Sequence, residues 1–105
     1  MSVIKATTEN FKEEVLESST PVLVDFNADW CGPCRMLAPT IEELEREYPA
    51  VKFCKANVDD QPELAAMFRV DSIPFVAFVK GGVRAEKSIG LVPKKQLADI
   101  IDRLS

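Results

Sequence analysis

The pentapeptide Trp30-Cys31-Gly32-Pro33-Cys34 concentrates the reactive chemistry this chain can offer. It lies between an apolar, β-branched stretch and a long helical pattern. With Cys31 at or just before a helix start, Cys34 follows one turn later on the same face. That spacing allows a disulfide of about 5.5 Å between Cα atoms without large backbone strain. Unpaired N–H groups and the positive end of the helix dipole favour a thiolate over a thiol. Cys31 is therefore expected to be the exposed nucleophile, and Cys34, inside the first turn, the more buried resolving thiol. Pro33 supplies a pre-set φ and brings no N–H to a thiolate. The chain holds 3 Cys and no His, so a Cys–His or Ser–His–Asp mechanism has no imidazole to run on. Zinc wants four ligands, and beyond the pair only Cys54 remains, so no metal site is expected. An inert structural disulfide is disfavoured in a reducing compartment, which leaves a dithiol that cycles.

Other residues are candidates for supporting roles. Asp25 sits between Val24 and Phe26 in a run that otherwise reads as core. A carboxylate there is costly unless it is paired or protonated, and the alternative is an edge position facing water. With no histidine, Asp25 is the best candidate for a base acting on Cys34, directly or through a water. Lys55 in the next strand modulates Asp25 if the two share a face; otherwise it is an ordinary exposed lysine. Pro74 follows Ile73 just before a strand that should be central, where a missing N–H suggests a special turn. Trp30 beside the pair reads as a half-exposed docking aromatic, and Cys54 as a small buried hydrophobe.

The elements that must position these residues follow from periodicity. Val3-Ile4 suggests a short strand, then a helix through Phe11, Val15 and Leu16, capped by Thr8 or Asn10 with Glu13 completing a capping box. Residues 22–28 read as a buried strand, and Leu37, Ile41, Leu44 and Tyr48 mark a long helix that Pro39 should kink. Residues 51–58 form another strand, so strand–helix–strand order predicts parallel pairing through a right-handed crossover. Pro62 opens a short helix carrying Leu64, Ala65, Met67 and Phe68. Residues 75–80 and 83–89, separated by Gly81-Gly82, predict an antiparallel hairpin. Leu97, Ile100, Ile101 and Leu104 mark a last helix with Pro93 in its first turn. The sum is an α/β architecture: a mixed five-stranded sheet with about four helices on its two faces, in a single domain spanning residues 1–105.

Composition excludes several classes. With 105 residues, 47% hydrophobic and 29% charged, the chain is long enough for one core without staples. Its net charge of -4 comes from 13 Lys+Arg against 17 Asp+Glu, and the only dense basic cluster is Lys94-Lys95. Nucleic acid is not an expected partner. No apolar run approaches the roughly 20 residues of a membrane span, and the first five residues lack a signal-peptide core. A cytoplasmic protein with no membrane contact is expected.

The stretch Val24-Asp25-Phe26-Asn27-Ala28-Asp29-Trp30-Cys31-Gly32-Pro33-Cys34-Arg35-Met36-Leu37-Ala38-Pro39 resembles the signature of the thioredoxin family. Lys55, Asn57 with Val58-Asp59, Ile73-Pro74, Gly82 and Gly90 extend the resemblance over essentially the whole chain. It implies the thioredoxin fold and a protein-disulfide reductase without a cofactor of its own, recharged by a thioredoxin reductase using NADPH. It assigns Asp25 the role of proton acceptor and implies a cis Pro74 packed against the cysteines, preceded by a residue whose backbone pairs with substrate. Trp30, Gly32, Pro33, Ile73, Pro74, Gly90 and Leu91 would then form a flat apolar patch for disulfide-containing proteins presenting an extended peptide. Three residues depart from the family pattern: Asn27 in place of a common tryptophan, Phe75 in place of threonine, and Leu91 in place of alanine. They touch packing and partner choice rather than thiol chemistry. Two rival functions are weighed. A thiol oxidant or isomerase typically carries a histidine between its cysteines, where this chain has Gly32-Pro33. A docking subunit would keep its function in a Cys31→Ser/Cys34→Ser variant. A monomer is the expected state.

Overall fold

Strand β2 (Val22–Asn27) runs through the middle of a five-stranded sheet, and all but its last residue are buried. A strand covered on both faces reads as a continuous apolar run, which is what Val22, Leu23, Val24 and Phe26 supply. In this computed structural model, which describes residues 3–104, β1 (Ile4–Lys5) and β3 (Lys52–Asn57) pair in parallel, and β3 pairs in parallel with β2. On its other side β2 pairs antiparallel with β4 (Phe75–Lys80), which pairs antiparallel with β5 (Val83–Ile89). The order is β1-β3-β2-β4-β5. Helix α1 (Gly32–Glu47) makes the crossover between β2 and β3, α2 (Pro62–Met67) follows β3, and α3 (Lys94–Leu104) closes the chain. The parallel crossover, the hairpin and the mixed five-stranded sheet all stand as expected.

Alternation along the strands sorts the core into two layers. Val22, Val24 and Phe26 share one face with Cys54, Ala56, Phe75, Ala77 and Val79, and Phe11, Val15, Leu64 and Phe68 cover it. Phe68 meets Phe11 and Phe26 ring to ring, with centroids 5.6 and 5.2 Å apart. Leu23, Phe53, Val76 and Phe78 occupy the opposite face, under Leu37, Ile41 and Leu44 of α1 and Leu97, Ile100 and Ile101 of α3. Asp25 lies two residues from Leu23 and so belongs to the α1 face. Cys54 is buried in the other layer, as a small hydrophobe should be.

One expected element takes another form. The segment after Thr8 is a single π-helical turn, Lys12–Leu16, closed by Glu17 N–H donating to Lys12 O at 2.9 Å. Among the described residues no side chain caps it. Asn10 instead accepts from Thr7 N–H through Oδ1 and donates Nδ2 to Lys5 O, tying the loop back to β1. Thr8 N–H donates to Gln61 Oε1. A polar side chain just before a short helix has these loop bonds as alternatives to capping, and here they win. Helix α1 continues through Pro39, which leaves Arg35 O without an i+4 donor.

Candidate functional site

The β2–α1 junction places the cysteines. After Asn27 the chain turns through Ala28, Asp29 and Trp30, with Cys31 N–H donating to Ala28 O at 3.1 Å. Cys31 is the N-cap of α1, extended at φ −91°, and Gly32 and Pro33 open the helix. The two cysteines form a disulfide with Cα atoms 5.3 Å apart. Cys31 Sγ accepts a hydrogen bond from Cys34 N–H at 3.2 Å, so the sulfur sits where a helix N-terminus holds partial positive charge. Ala28, Val58 and Ile73 pack around the pair. The expected contrast in exposure is absent: Cys31 is 4% and Cys34 5% accessible. Joined sulfurs shield one another, so both are buried together.

Asp25 is buried on the α1 face, directly beside Lys55 in the β2–β3 register. Its Oδ1 is buried without a hydrogen-bond partner among the described residues. Burial pushes its carboxyl up to about 6, while the Lys55 ammonium and the Asn27 amide pull the other way. Asn27 Nδ2 donates to Asp25's backbone carbonyl at 3.2 Å. A groove of about 410 Å³ runs along this face, lined by Asp25, Asn27, Cys34, Arg35, Ala38 and Lys55 among others. Asp25, Lys55 and Cys34 therefore share one space, and the shared face expected of Asp25 and Lys55 is present.

Ile73 packs against the cysteine pair, and Trp30 adjoins it in the chain. Trp30 is 68% exposed, and its indole N–H donates to Asp59 Oδ2 at 2.9 Å. The Ile73–Pro74 peptide is cis, Pro74 is buried, and its carbonyl accepts from Gly90 N–H at 2.8 Å. That bond, at a glycine with φ +93°, brings Leu91 up beside the cis proline with its side chain exposed. The Ile73 backbone has no hydrogen-bond partner among the described residues. Pro33 is exposed and Gly32 partly so.

Sequence reasoning gave no role to the polar scaffold under Trp30. Asn57 Oδ1 accepts from both Asp59 and Asp60 N–H, while its Nδ2 donates to Asp29 Oδ1 at 3.3 Å. Arg35 Nη1 donates to Asp29 O at 2.6 Å. Asparagine at a strand end before two aspartates is a signal for such a turn, and it fixes the carboxylate that holds Trp30.

A family model described as Thioredoxin matches residues 2–103. The chain is 49% identical to "Thioredoxin 1" of Synechococcus elongatus, over 98% of both chains. It is 45% identical to "Thioredoxin" of Pyropia yezoensis, over 98% of this chain and 97% of that one. It is also 50% identical to "Thioredoxin M5, chloroplastic" of Oryza sativa subsp. japonica, over 96% of this chain and 59% of that longer protein.

Proposed function

This chain belongs to the thioredoxin family and is a protein-disulfide oxidoreductase working through its Cys31–Cys34 pair; we propose that it runs as a reductase. The carrying observation is how little stabilises a thiolate at the pair. One backbone N–H bond and the α1 dipole face Cys31 Sγ, Pro33 contributes no donor, and Arg35 donates to Asp29 O. The chain has no histidine, and a buried carboxylate lies on the Cys34 side. A weakly stabilised dithiolate leaves the disulfide as the favoured form, which makes the reduced pair a donor of electrons.

In this reading Cys31 thiolate attacks a substrate disulfide, forming a mixed disulfide and expelling one substrate thiolate. Asp25 takes the proton of Cys34, with Lys55 holding the charge in check. Cys34 thiolate then attacks Cys31 Sγ, closing the 31–34 disulfide and releasing the second substrate thiolate. Trp30, Gly32, Pro33, Ile73, Pro74, Gly90 and Leu91 receive the substrate chain, with the unpaired backbone of Ile73 as a partner for an extended peptide. Electrons return from a thioredoxin reductase drawing on NADPH. The whole chain, residues 1–105, serves as one monomeric domain in the cytoplasm, without cofactor, membrane or nucleic acid. Among the described residues no helix is long and apolar enough to cross a membrane.

The test is the reduction potential of the pair, by equilibration with a defined thiol–disulfide buffer. Trp30, the only tryptophan, adjoins Cys31 and reports the redox state. A potential well below the glutathione pool is expected; one well above it makes the protein an oxidant.

A further inference from the structure

A pocket of about 230 Å³ opens on the sheet face away from α1, between the π-helical turn, the end of α2 and the β4–β5 hairpin. None of its lining residues belongs to the cluster around the disulfide. Phe11, Phe68 and Val79 give it buried apolar walls, and Leu16 and Met67 extend them while staying exposed. Gly82 brings the hairpin close to the turn, where a Cβ would come within 3.1 Å of Leu16 O. The charges in the lining are all of one sign: Arg69 and Arg84 line it and no carboxylate does, in a chain of net charge -4. Glu17, which follows Leu16 in the chain, pairs with Lys12 at 3.6 Å instead. Arg84 Nη1 donates to Phe68 O at 3.2 Å, which anchors this guanidinium at the end of α2. Its other guanidinium N–H groups, and the whole Arg69 side chain, have no partner among the described residues. Arg69 also holds φ +56°, a left-handed value after a helix end where glycine is the ordinary occupant. The fold thus places a free guanidinium at a position that strains its backbone.

We propose that this pocket binds a small carboxylate with an apolar body, the carboxylate held by Arg69 and Arg84 and the body lying against Leu16, Met67 and Phe68. The charge complementarity sets the sign of the ligand, since two guanidiniums without an acidic neighbour in the lining call for an anion. The planar guanidinium fork matches a carboxylate, with two parallel N–H donors for its two oxygens. The apolar walls set the rest of the ligand, because a bare inorganic anion leaves them exposed to water. Met67 and Phe68 suit an aromatic body, through the adaptable thioether and the ring. The volume suits a free small molecule of about one ring, being smaller than the roughly 300–1,000 Å³ of drug-sized sites. The site is independent of the Cys31–Cys34 chemistry and of the reductase reading.

Phenylacetate is the probe, titrated into the oxidised protein while backbone amide shifts are followed by NMR. Saturable shifts are expected at Leu16, Phe68, Arg69, Gly82 and Arg84, in the low millimolar range that about ten non-hydrogen atoms sustain. Phenylacetamide keeps the body without the charge, and acetate keeps the charge without the body. Each should bind at least about tenfold more weakly. Equal binding by either one, shifts that do not saturate, or shifts centred away from the pocket overturn the proposal. Arg69→Gly removes one guanidinium and suits the left-handed backbone, so folding is not put at risk. Phenylacetate affinity should fall about tenfold in this variant, and again in Arg84→Gln. Affinity retained in both variants overturns the assignment of the carboxylate to these two arginines.

Discussion

Asp25 holds a carboxylate at a position where β2 would otherwise bury an apolar side chain, and stability should register it. Its folded-state value of about 6 lies above the ordinary 3.8, so between those values the folded protein binds more protons than the unfolded chain. Stability therefore falls as pH rises through this window, and the full penalty applies above it. Asp25→Ala removes the penalty and should raise the unfolding free energy by about 2 kcal/mol at pH 7, with the gain vanishing below about pH 4. Urea denaturation across pH checks this. On the proposed role of Asp25 as the base for Cys34, the same variant should slow turnover of a protein disulfide at pH 7 by at least about tenfold. The conflict at Asp25 was legible in the sequence, since a charge amid valine and phenylalanine announces itself. The grip on Trp30 was not, because Asp59 lies 29 residues away and only folding brings its carboxylate to the indole.

Elements decide where those residues stand. Cys31 works from an N-cap because Gly32 and Pro33 start α1 immediately after it, and Pro33 has no N–H to leave unsatisfied. At the far end of the sheet, Gly81 and Gly82 turn the β4–β5 hairpin with φ +62° and +80°. These values need residues without a Cβ penalty, as the sequence spacing indicated. The two glycines are not equivalent. A Cβ on Gly81 meets nothing within 4 Å, whereas one on Gly82 lies 3.1 Å from Leu16 O. Gly81→Ala should cost about 1 kcal/mol and Gly82→Ala about 2 kcal/mol or more, measured by chemical denaturation. The hairpin was readable because its signal is local. The π-helical turn at Lys12–Leu16 was not, because its fate depends on what Asn10 and Thr8 bond in the folded loop.

Across the whole molecule, one sheet with a core on each face separates stability from chemistry. The α3 side chains Leu97, Ile100 and Ile101 pack against the sheet and α1, and none contacts the disulfide cluster. Leu97 is fully buried, so Leu97→Ala should lower the unfolding free energy by about 2–5 kcal/mol. The reduction potential should stay at its unsubstituted value, read by equilibration with a thiol–disulfide buffer. Lys94 adds a link at this scale, reaching Glu43 and Glu47 of α1 from the start of α3. The pair Lys94-Lys95, which alone could have suggested a basic patch, is thus tied up: Lys95 bonds Asp99 on its own helix.

By itself the sequence determined the cysteine spacing, the order of strands and helices, and the conflict of a carboxylate within an apolar run at Asp25, because each depends on residue type and near-neighbour periodicity. Tertiary structure alone decided which faces meet. It set Asp25 beside Lys55 through strand register, joined Gly90 to Pro74, and hid Cys31 as deeply as Cys34. It also put Asn27, Ala28 and Ala38 around the groove that Asp25, Cys34 and Lys55 line. Such outcomes depend on packing between segments far apart in the chain, and no local pattern of residues specifies how much space that packing leaves.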